Sequence, residues 1–292
     1  MKKILFYLFF AVIVSCNNHN SHKQRAQFCS IEDSYNREVV LSHEPQRIIS
    51  LSPGITEMVY LLHSEEKLVG VTDFCNFPEA AKKIDRVGGL NNFSIEQLLN
   101  LHPDLVLIGS IVQKEDVEKI ESLQIPVIAL KAEQHVADIL HSIQLLGQIL
   151  NQQDLAQEKI EIFQQKIDHY HLVVQHYTAA PTVCYMVGFG EGGDYVAPQN
   201  SHIHDIITLA GGKNIGLNLT GWSISREFLF KENPDFIFIR RENYEQFCTS
   251  FPYSELNAVK NHQVFPIESG WMDIVSPRMF LAIDYISELI NH

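Results

Sequence analysis

Cysteine is scarce in this chain of 292 residues, and the short motifs of several enzyme classes are missing. None of the five cysteines forms a C-x-x-C pair, so a zinc knuckle or a thioredoxin-like site is not expected. The sequence also lacks a Gly-x-Ser-x-Gly turn, a Walker loop and a Gly-x-Gly-x-x-Gly fingerprint after a strand. Because no nucleophile or phosphate loop is recognisable, we expect a protein that is not an enzyme and that has no cofactor.

Basic residues are also in short supply: 22 lysines and arginines stand against 35 aspartates and glutamates, and the net charge is −13. Phosphate backbones and anionic lipid surfaces repel a chain of this sign. The charge therefore argues against nucleic acid as a partner and favours docking onto a basic protein surface.

A run long enough to span a membrane is absent, since the apolar stretch from Ile4 to Val14 is too short to cross a bilayer. Two lysines precede this stretch and Val-Ser-Cys16 follows it, a pattern typical of an export signal. Val-Ser-Cys also resembles a bacterial lipobox, which implies cleavage before Cys16 and lipid on its sulfur. We expect residues 1–15 to be a lipoprotein signal peptide and residues 16–27 to tether an exported protein to the periplasmic face of a membrane. An ordinary secretory signal with a chance cysteine is the alternative.

The other cysteines are Cys29, Cys75, Cys184 and Cys248. An even number in an exported chain permits disulfides, here in three possible pairings, and the sequence leaves the choice open. Cys184 lies within an apolar strand pattern, so a buried free thiol is the alternative at that position.

Apolar runs that fit strands alternate with amphipathic segments that fit helices. In the first half the pattern predicts an edge hairpin over 28–41, strands at 47–51, 67–71, 105–108 and 125–130, and helices at 94–101, 114–123 and 136–150. In the second half it predicts strands at 182–187, 236–239 and 264–267, and helices at 204–210 and 277–290. Such alternation is typical of parallel sheets with helices on both faces.

One long helix is predicted between these halves, because residues 152–177 carry apolar residues at helical spacing without proline or glycine. A helix of about 25 residues is about 38 Å long. The chain therefore divides into a first α/β lobe (28–150), a linking helix (151–178) and a second α/β lobe (179–292). A single helical link predicts small opening and closing motions of the lobes.

A segment of the first half recurs in the second. Ser94 to Ile108 reads SIEQLLNLHPDLVLI, and Ser225 to Ile239 reads SREFLFKENPDFIFI. In both copies a serine that fits a helix N-cap precedes a glutamate in the first turn, and a Pro-Asp turn precedes an apolar strand. The repeat predicts two equivalent exposed carboxylates, Glu96 and Glu227, one on each lobe.

Five motifs, taken in order, carry a family resemblance: RIISLSPGITE at 47–57, SIEQLLNLHPDLVL at 94–107, LAGGKNI at 209–215, WSISRE at 222–227 and SGWMDIVSPR at 269–278. Together they resemble the periplasmic substrate-binding proteins of ABC importers of the helical-backbone class, class III, and the vitamin B12 carriers look most similar. The resemblance implies an α/β fold with two Rossmann-like lobes, whose parallel sheets are joined by one long rigid α-helix. It also implies a monomer that holds a corrinoid such as cobalamin and delivers it to a permease dimer with its ATPase subunits.

In that family a carboxylate on each lobe docks on arginines of the permease, and the matching positions are Glu96 and Glu227. The alternative is that both are ordinary acids that stabilise a helix N-terminus.

Ligand contacts are expected in the loops after strands, where the two lobes face each other. The candidates are Phe74, Phe189, Tyr195, Trp222, Arg240, Trp271, Asp273 and Arg278. Aromatic faces suit a large flat ligand such as a corrin ring. The alternatives are that the aromatic residues only cover a core, and that Arg278 pairs with Glu268 or Asp273.

Other readings of the cleft remain open. The B12 carriers have a tryptophan near the position of Leu90, which is aliphatic here, and Arg240-Arg241 would suit the carboxylates of haem or of a ferric siderophore. Both arginines could instead pair with Glu242 and Glu245. A metal-dependent enzyme that uses His202 and His204 is a third possibility.

Overall fold

A computed structural model describes residues 27–109, 112–130, 135–176 and 179–291. The predicted signal peptide, the lipidation site Cys16 and residues 16–26 of the predicted tether lie outside the described residues. No helix in the described part of the chain is both long and apolar enough to span a bilayer.

The described residues form twelve strands and eleven α-helices. The strands are β1 (Cys29–Glu32), β2 (Glu38–Leu41), β3 (Ile48–Ser50), β4 (Leu68–Val71), β5 (Leu105–Ile108), β6 (Val127–Ala129), β7 (Thr182–Gly188), β8 (Asp194–Val196), β9 (Lys213–Asn214), β10 (Ser223–Ile224), β11 (Phe236–Arg240) and β12 (Val264–Ile267). The helices are α1 (Pro53–Leu61), α2 (Ile95–Asn100), α3 (Lys114–Ser122), α4 (Asp138–Ile149), α5 (Gln153–Val174), α6 (His202–Leu209), α7 (Arg226–Glu232), α8 (Tyr244–Thr249), α9 (Asn257–Lys260), α10 (Ser269–Met272) and α11 (Met279–Ile290).

The first lobe contains a four-stranded parallel sheet in the order β4-β3-β5-β6. All four residues of β5 are buried, as expected for a strand covered on both faces. The predicted edge hairpin is also present, because β1 and β2 pair antiparallel. Asp33 in this hairpin accepts a hydrogen bond from the backbone N–H of Ala129 at 3.3 Å, which fastens the hairpin to β6.

The second lobe contains a six-stranded sheet in the order β10-β8-β7-β11-β12, and β9 pairs with the start of β7. Strands β7, β11 and β12 run parallel, as predicted. Strand β9 is also parallel to β7, whereas β8 and β10 run antiparallel to their neighbours. The sequence pattern missed β8, β9 and β10 because they have three, two and two residues, too few to show an alternation.

Helix α5 links the lobes and has 22 residues, which corresponds to about 33 Å. It begins one residue after the start of the predicted segment 152–177 and ends three residues before its end. Its apolar face packs on α11, where the rings of Phe163 and Phe280 stack with centroids 4.6 Å apart. The hydroxyl of Tyr170 on α5 donates a hydrogen bond to Asp284 on α11 at 2.6 Å.

One apolar cluster runs through both lobes. It includes Leu146 on α4, Ile167 on α5, Ile206 on α6 and Ile283 on α11, all of them buried. Two further clusters fill the outer faces, one between the first sheet and α2 and α3, the other between the second sheet and α7, α8 and α9. Each sheet is therefore covered on both sides, and the inner cover is common to the two lobes.

The four cysteines of the described residues are free thiols. No disulfide forms among them, so the pairing that the even number permitted is not found. Cys184 is buried in β7, as its apolar surroundings predicted, and burial raises the pKa of its thiol.

Candidate functional site

A cavity of about 780 Å³ lies between the two lobes. The first lobe contributes residues 51–55, which follow β3, and Gly109 and Leu130, which follow β5 and β6. The second lobe contributes Arg240 at the end of β11 and residues 273–275 after α10. The cavity therefore lies at the carboxyl ends of strands from both sheets, where parallel α/β sheets usually bind ligands.

A polar network crosses the second-lobe wall of this cavity. Nε of Arg240 donates to Oδ2 of Asp273 at 2.8 Å, and the hydroxyl of Tyr185 donates to Oδ1 at 2.8 Å. Burial, reinforced by the Asp273 charge, raises the pKa of the Tyr185 hydroxyl, so it stays protonated and continues to donate. Both oxygens of the Asp273 carboxylate are thus held in place by residues of the neighbouring strands β7 and β11.

His202 also lines the cavity, on the first turn of α6. Its Nε2 lies 2.7 Å from the carbonyl oxygen of Met272, and a carbonyl only accepts, so Nε2 carries a hydrogen and donates. Burial lowers the pKa of the ring below its ordinary value of 6.5. His204 instead faces Asn214, with 3.3 Å between Nδ1 and Nδ2, so the two histidines have separate structural partners.

Among the described residues, no group of three or more His, Cys, Asp or Glu side chains is placed to hold a metal ion. The pair of histidines considered for a metal-dependent enzyme therefore lacks a third ligand in this part of the chain. The sequence offered only two residues for that site, and the fold adds none.

Three of the eight sequence-predicted ligand residues line the cavity: Trp222, Arg240 and Asp273. Trp222 is 41% exposed and immediately precedes β10, so its ring is available to a ligand. Leu90, where the resemblance implied a tryptophan, lines the cavity as well and makes the first-lobe wall aliphatic.

The other predicted aromatic residues lie elsewhere. Phe189 packs edge-on against Phe247 in the core of the second lobe, with ring centroids 5.1 Å apart. Trp271 packs against Tyr285 at 6.1 Å, and the hydroxyl of Tyr195 donates to the carbonyl oxygen of Gly192 at 2.8 Å. These contacts fit the alternative that they cover a core or brace a turn.

Phe74 is 54% exposed and is not among the residues of the cavity wall. It lies after β4 in the first lobe, where the sequence predicted it, but the wall is formed by other loops.

Arg278 does not point into the cavity and pairs with neither of the acids considered from sequence. Its Nε donates to Oε2 of Glu57 at 2.8 Å, and its Nη2 donates to the other oxygen of the same carboxylate. Glu57 lies on α1 of the first lobe, so this ion pair joins the two lobes. The ring of Phe77 covers the guanidinium, with 4.3 Å from Cζ to the ring centroid.

The lobes also touch directly beside this pair. A Cβ at Gly54 would lie 2.1 Å from the carbonyl oxygen of Val275, so only glycine allows this approach of α1 to the second lobe. Sequence reasoning missed Glu57 as a contact across the lobes, although it belongs to the Thr-Glu of the first family motif.

Arg240 and Arg241 also have partners other than the predicted Glu242 and Glu245. Arg240 pairs with Asp273, and Nε of Arg241 donates to Glu268 at 2.5 Å. Acids on the next loop of the sheet are closer to these guanidiniums than the acids next to them in sequence.

The predicted N-caps of the repeated segment are present. The hydroxyl of Ser94 accepts from the backbone N–H of Gln97 at 3.2 Å, and that of Ser225 accepts from Phe228 at 3.1 Å. Glu96 and Glu227 follow in the first turns of α2 and α7, and both are exposed. Hydrogen bonds from its own backbone and from Ser225 lower the pKa of Glu227.

The other shared residues of the repeat serve the fold. Leu98 and Leu229 occupy equivalent positions and are both fully buried. Asp104 accepts from the backbone N–H of Gln46 at 2.8 Å, just before β3, and Asp235 accepts from that of Thr182 at 2.8 Å, at the start of β7. Each Pro-Asp turn thus fastens the neighbouring strand, whereas Glu96 and Glu227 are exposed.

The fold and this cleft match a known family: the family model described as "Periplasmic binding protein" matches residues 48–269. The chain belongs to this family. Its two α/β lobes joined by one long helix confirm the class III fold that the sequence motifs implied.

Two curated relatives cover most of the chain. One is an uncharacterised ABC transporter substrate-binding lipoprotein of Bacillus subtilis, 25% identical over 270 residues, with 89% of this chain and 85% of the relative covered. The other is a vitamin B12-binding protein of Pectobacterium atrosepticum, 27% identical over 249 residues, with 83% and 87% covered.

A solved structure also shares the fold: the periplasmic heme-binding protein RhuT from Roseiflexus sp. RS-1 in apo form superposes with a TM-score of 0.76. It is 20% identical, and the match covers 84% of this chain and 97% of that one. This chain is therefore a transport substrate-binding protein, and the fold it shares does not by itself select the ligand.

Proposed function

We propose that this protein is a lipid-anchored substrate-binding protein of an ABC importer, which captures a cobalamin-type corrinoid between its lobes and delivers it to the permease. The observation that carries the proposal is the cavity of about 780 Å³ between the lobes. Its volume lies within the range of about 300–1,000 Å³ that is usual for small-molecule sites. Aliphatic residues and Trp222 form much of its wall, which suits the face of a flat macrocycle.

A corrinoid is favoured by the sequence relatives and by the charge of the wall. The Pectobacterium relative is a vitamin B12-binding protein by name, and its similarity covers 83% of this chain. Arg240, which would suit an anionic ligand, is already neutralised by Asp273 at 2.8 Å. A corrin ring with uncharged amide arms needs no free cation in the wall.

Haem is the second candidate, because the solved structure of similar fold binds heme by its title and Arg240 lies in the cavity. Two features of the described wall disfavour it. The pairing of Arg240 leaves no unpaired cation for the ring carboxylates, and Nε2 of His202 is bonded to Met272 rather than free to bind iron.

The anchor and the docking face complete the proposal. Lipid on Cys16 would hold the protein on the periplasmic face of the membrane, and the Bacillus relative is a lipoprotein by name. Glu96 and Glu227 would present one carboxylate per lobe to basic residues of a two-fold symmetric permease. Their exposure supports this assignment, since the fold uses the other residues that the two copies share.

The proposal is tested by titrating the purified protein with cyanocobalamin and with haem, following tryptophan fluorescence and the heat of binding. We expect cyanocobalamin to quench the fluorescence and to bind at least tenfold more tightly than haem. Trp222→Ala should weaken cobalamin binding, because this ring lies on the wall. Trp271→Phe is the matched control and should leave the affinity unchanged, because Trp271 packs on Tyr285.

Tighter binding of haem than of cyanocobalamin would favour the second candidate. Loss of affinity in Trp271→Phe but not in Trp222→Ala would show that the ligand occupies a different site.

A further inference from the structure

The charges in the wall of the cavity are balanced. Among the described residues of this wall, Arg240 is the one cation and Asp273 the one carboxylate. His202, the other titratable residue of the wall, is held neutral at pH 7 by its burial, which lowers its pKa. The described part of the wall therefore has a net charge of zero.

The carboxylate that balances Arg240 is fixed in position. Arg240 donates to one oxygen and Tyr185 to the other, each at 2.8 Å. Tyr185 is fully buried in β7, so its hydroxyl cannot turn to solvent. Asp273 would have to lose both hydrogen bonds before it could move away from Arg240.

This arrangement has opposite consequences for two kinds of ligand. A carboxylate that approaches Arg240 also approaches the fixed Asp273, and like charges repel strongly in a partly desolvated site. An amide or another neutral acceptor can take a hydrogen bond from the guanidinium without this repulsion. The Arg240 side chain is 32% exposed, so part of it is accessible from the cavity.

We propose that Asp273 is a specificity-determining residue, which neutralises Arg240 and so selects macrocycles with neutral arms against macrocycles with carboxylate arms. The inference deepens the proposed function and rests on it for the location of the ligand. Rejection of a competitor by an unfavourable charge is a common source of binding specificity.

The test measures binding of four probes: dicyanocobinamide, whose arms are amides; dicyanocobyrinic acid, the same ring with carboxylates; haem; and haem dimethyl ester. Comparing the corrinoid probes with the haem probes tests the proposed function. Comparing the neutral with the carboxylate form of the same ring tests the role of Asp273. The wild-type protein should bind the neutral member of each pair more tightly.

Two single variants change the charge of the wall in opposite directions, and a double variant keeps it neutral. Asp273→Asn leaves Arg240 unbalanced and should shift the affinity ratio toward the carboxylate probes by at least about tenfold, which corresponds to about 1.4 kcal/mol. Arg240→Met leaves Asp273 unbalanced and should shift the ratio further toward the neutral probes. The double variant restores a neutral wall and should return the ratio to within about twofold of the wild type.

Arg241→Gln is the matched control. Arg241 is the next residue in sequence, but it pairs with Glu268 and is not among the residues of the cavity wall. It changes the net charge of the protein by the same amount as Arg240→Met and should leave the ratio unchanged. Circular dichroism and thermal unfolding show whether each variant is folded. If Asp273→Asn does not fold, Arg240→Met alone tests whether the affinity ratio shifts toward the neutral probes.

An unchanged ratio in Asp273→Asn, or a double variant that behaves like either single variant, overturns the inference. If the protein prefers haem dimethyl ester to haem and binds neither corrinoid, the inference about Asp273 stands and the corrinoid proposal is overturned. Binding of none of the four probes overturns both.

Discussion

The residues that join the lobes are far apart in the sequence. Glu57 and Arg278 are 221 positions apart, and the structure places them in contact with side chains that are 4% and 15% exposed. The sequence alone predicts that Arg278 contacts the ligand or pairs with a nearby acid, because distant acids cannot be recognised without the fold. Arg278 instead holds the second lobe on α1.

Loss of one member of this pair leaves the other buried and charged. Glu57→Gln should lower the free energy of unfolding by about 3–5 kcal/mol, as expected when a buried ion pair loses one partner. Urea denaturation measures this loss. Lys260→Gln is the matched control, since Lys260 and Glu255 are both more than half exposed, and it should change stability by less than about 1 kcal/mol. Equal effects of the two substitutions would contradict the role of the buried pair.

His202 predicts a dependence of stability on pH. Burial lowers the pKa of its ring in the folded protein below 6.5, the ordinary value that applies to the unfolded chain. Between these two values the unfolded chain binds more protons, so stability falls as the pH decreases below about 6.5 and the loss ends below the folded pKa. Urea denaturation between pH 7.5 and 5 should show a smaller decline in His202→Gln, whereas His141→Gln, an exposed change on α4, should keep the wild-type slope.

At the scale of elements, most helices and strands could be predicted from periodicity, because long amphipathic segments such as α4 and α5 bury one face along their whole length. The short strands β8 and β10 could not, since their pairing depends on neighbours rather than on their own pattern. Of the residues predicted to contact a ligand, Trp222, Arg240 and Asp273 line the cavity. The positions of Phe189 and Trp271 could not be predicted, because they depend on how distant elements pack.

The two Pro-Asp turns of the repeat should have equal structural weight. Asp104→Ala and Asp235→Ala each remove the acceptor for backbone N–H groups at the start of a central strand. Each should lower the free energy of unfolding by about 1.5 kcal/mol, the lower end of the range for hydrogen bonds to a charged group. Glu96→Ala and Glu227→Ala, in the same two segments, should lower stability clearly less than either aspartate variant, because these acids are exposed. Thermal or urea unfolding distinguishes the aspartate variants from the glutamate variants. A large loss of stability in the glutamate variants would show that Glu96 and Glu227 support the fold.

At the scale of the whole molecule, the lobes are joined in several places. The Glu57–Arg278 pair lies between α1 and the start of α11, and Nδ1 of His135 lies 3.0 Å from Oδ2 of Asp205 at another point of contact. Helix α5 and the common apolar cluster add a continuous packed connection.

These connections favour small lobe motions. Small-angle scattering of the free and the ligand-saturated protein should show nearly the same radius of gyration. Glu57→Gln should increase the radius of the free protein, because it removes a bond between the lobes. A large change in the wild-type protein on ligand binding would contradict the restraint by α5 and the ion pair.

The proposed docking on a permease uses both lobes at once. The double variant Glu96→Ala, Glu227→Ala should lose ligand-dependent binding to its permease and should keep the ligand affinity of the wild type, because neither residue lines the cavity. Each single variant should show an intermediate loss that weakens further with added salt. Pull-down with permease in nanodiscs and calorimetry with the ligand separate the two effects, and a fall in ligand affinity would show that these acids act on the cleft.

The common apolar cluster has a consequence for any attempt to divide the protein. A cut within α5 would place Ile167 and Tyr170 on one fragment and part of their packing partners on the other. Each fragment would then expose a large apolar surface to water. Although the sequence repeats a segment, we expect that neither half folds stably without the other. A gene that encodes only one lobe should therefore yield aggregates.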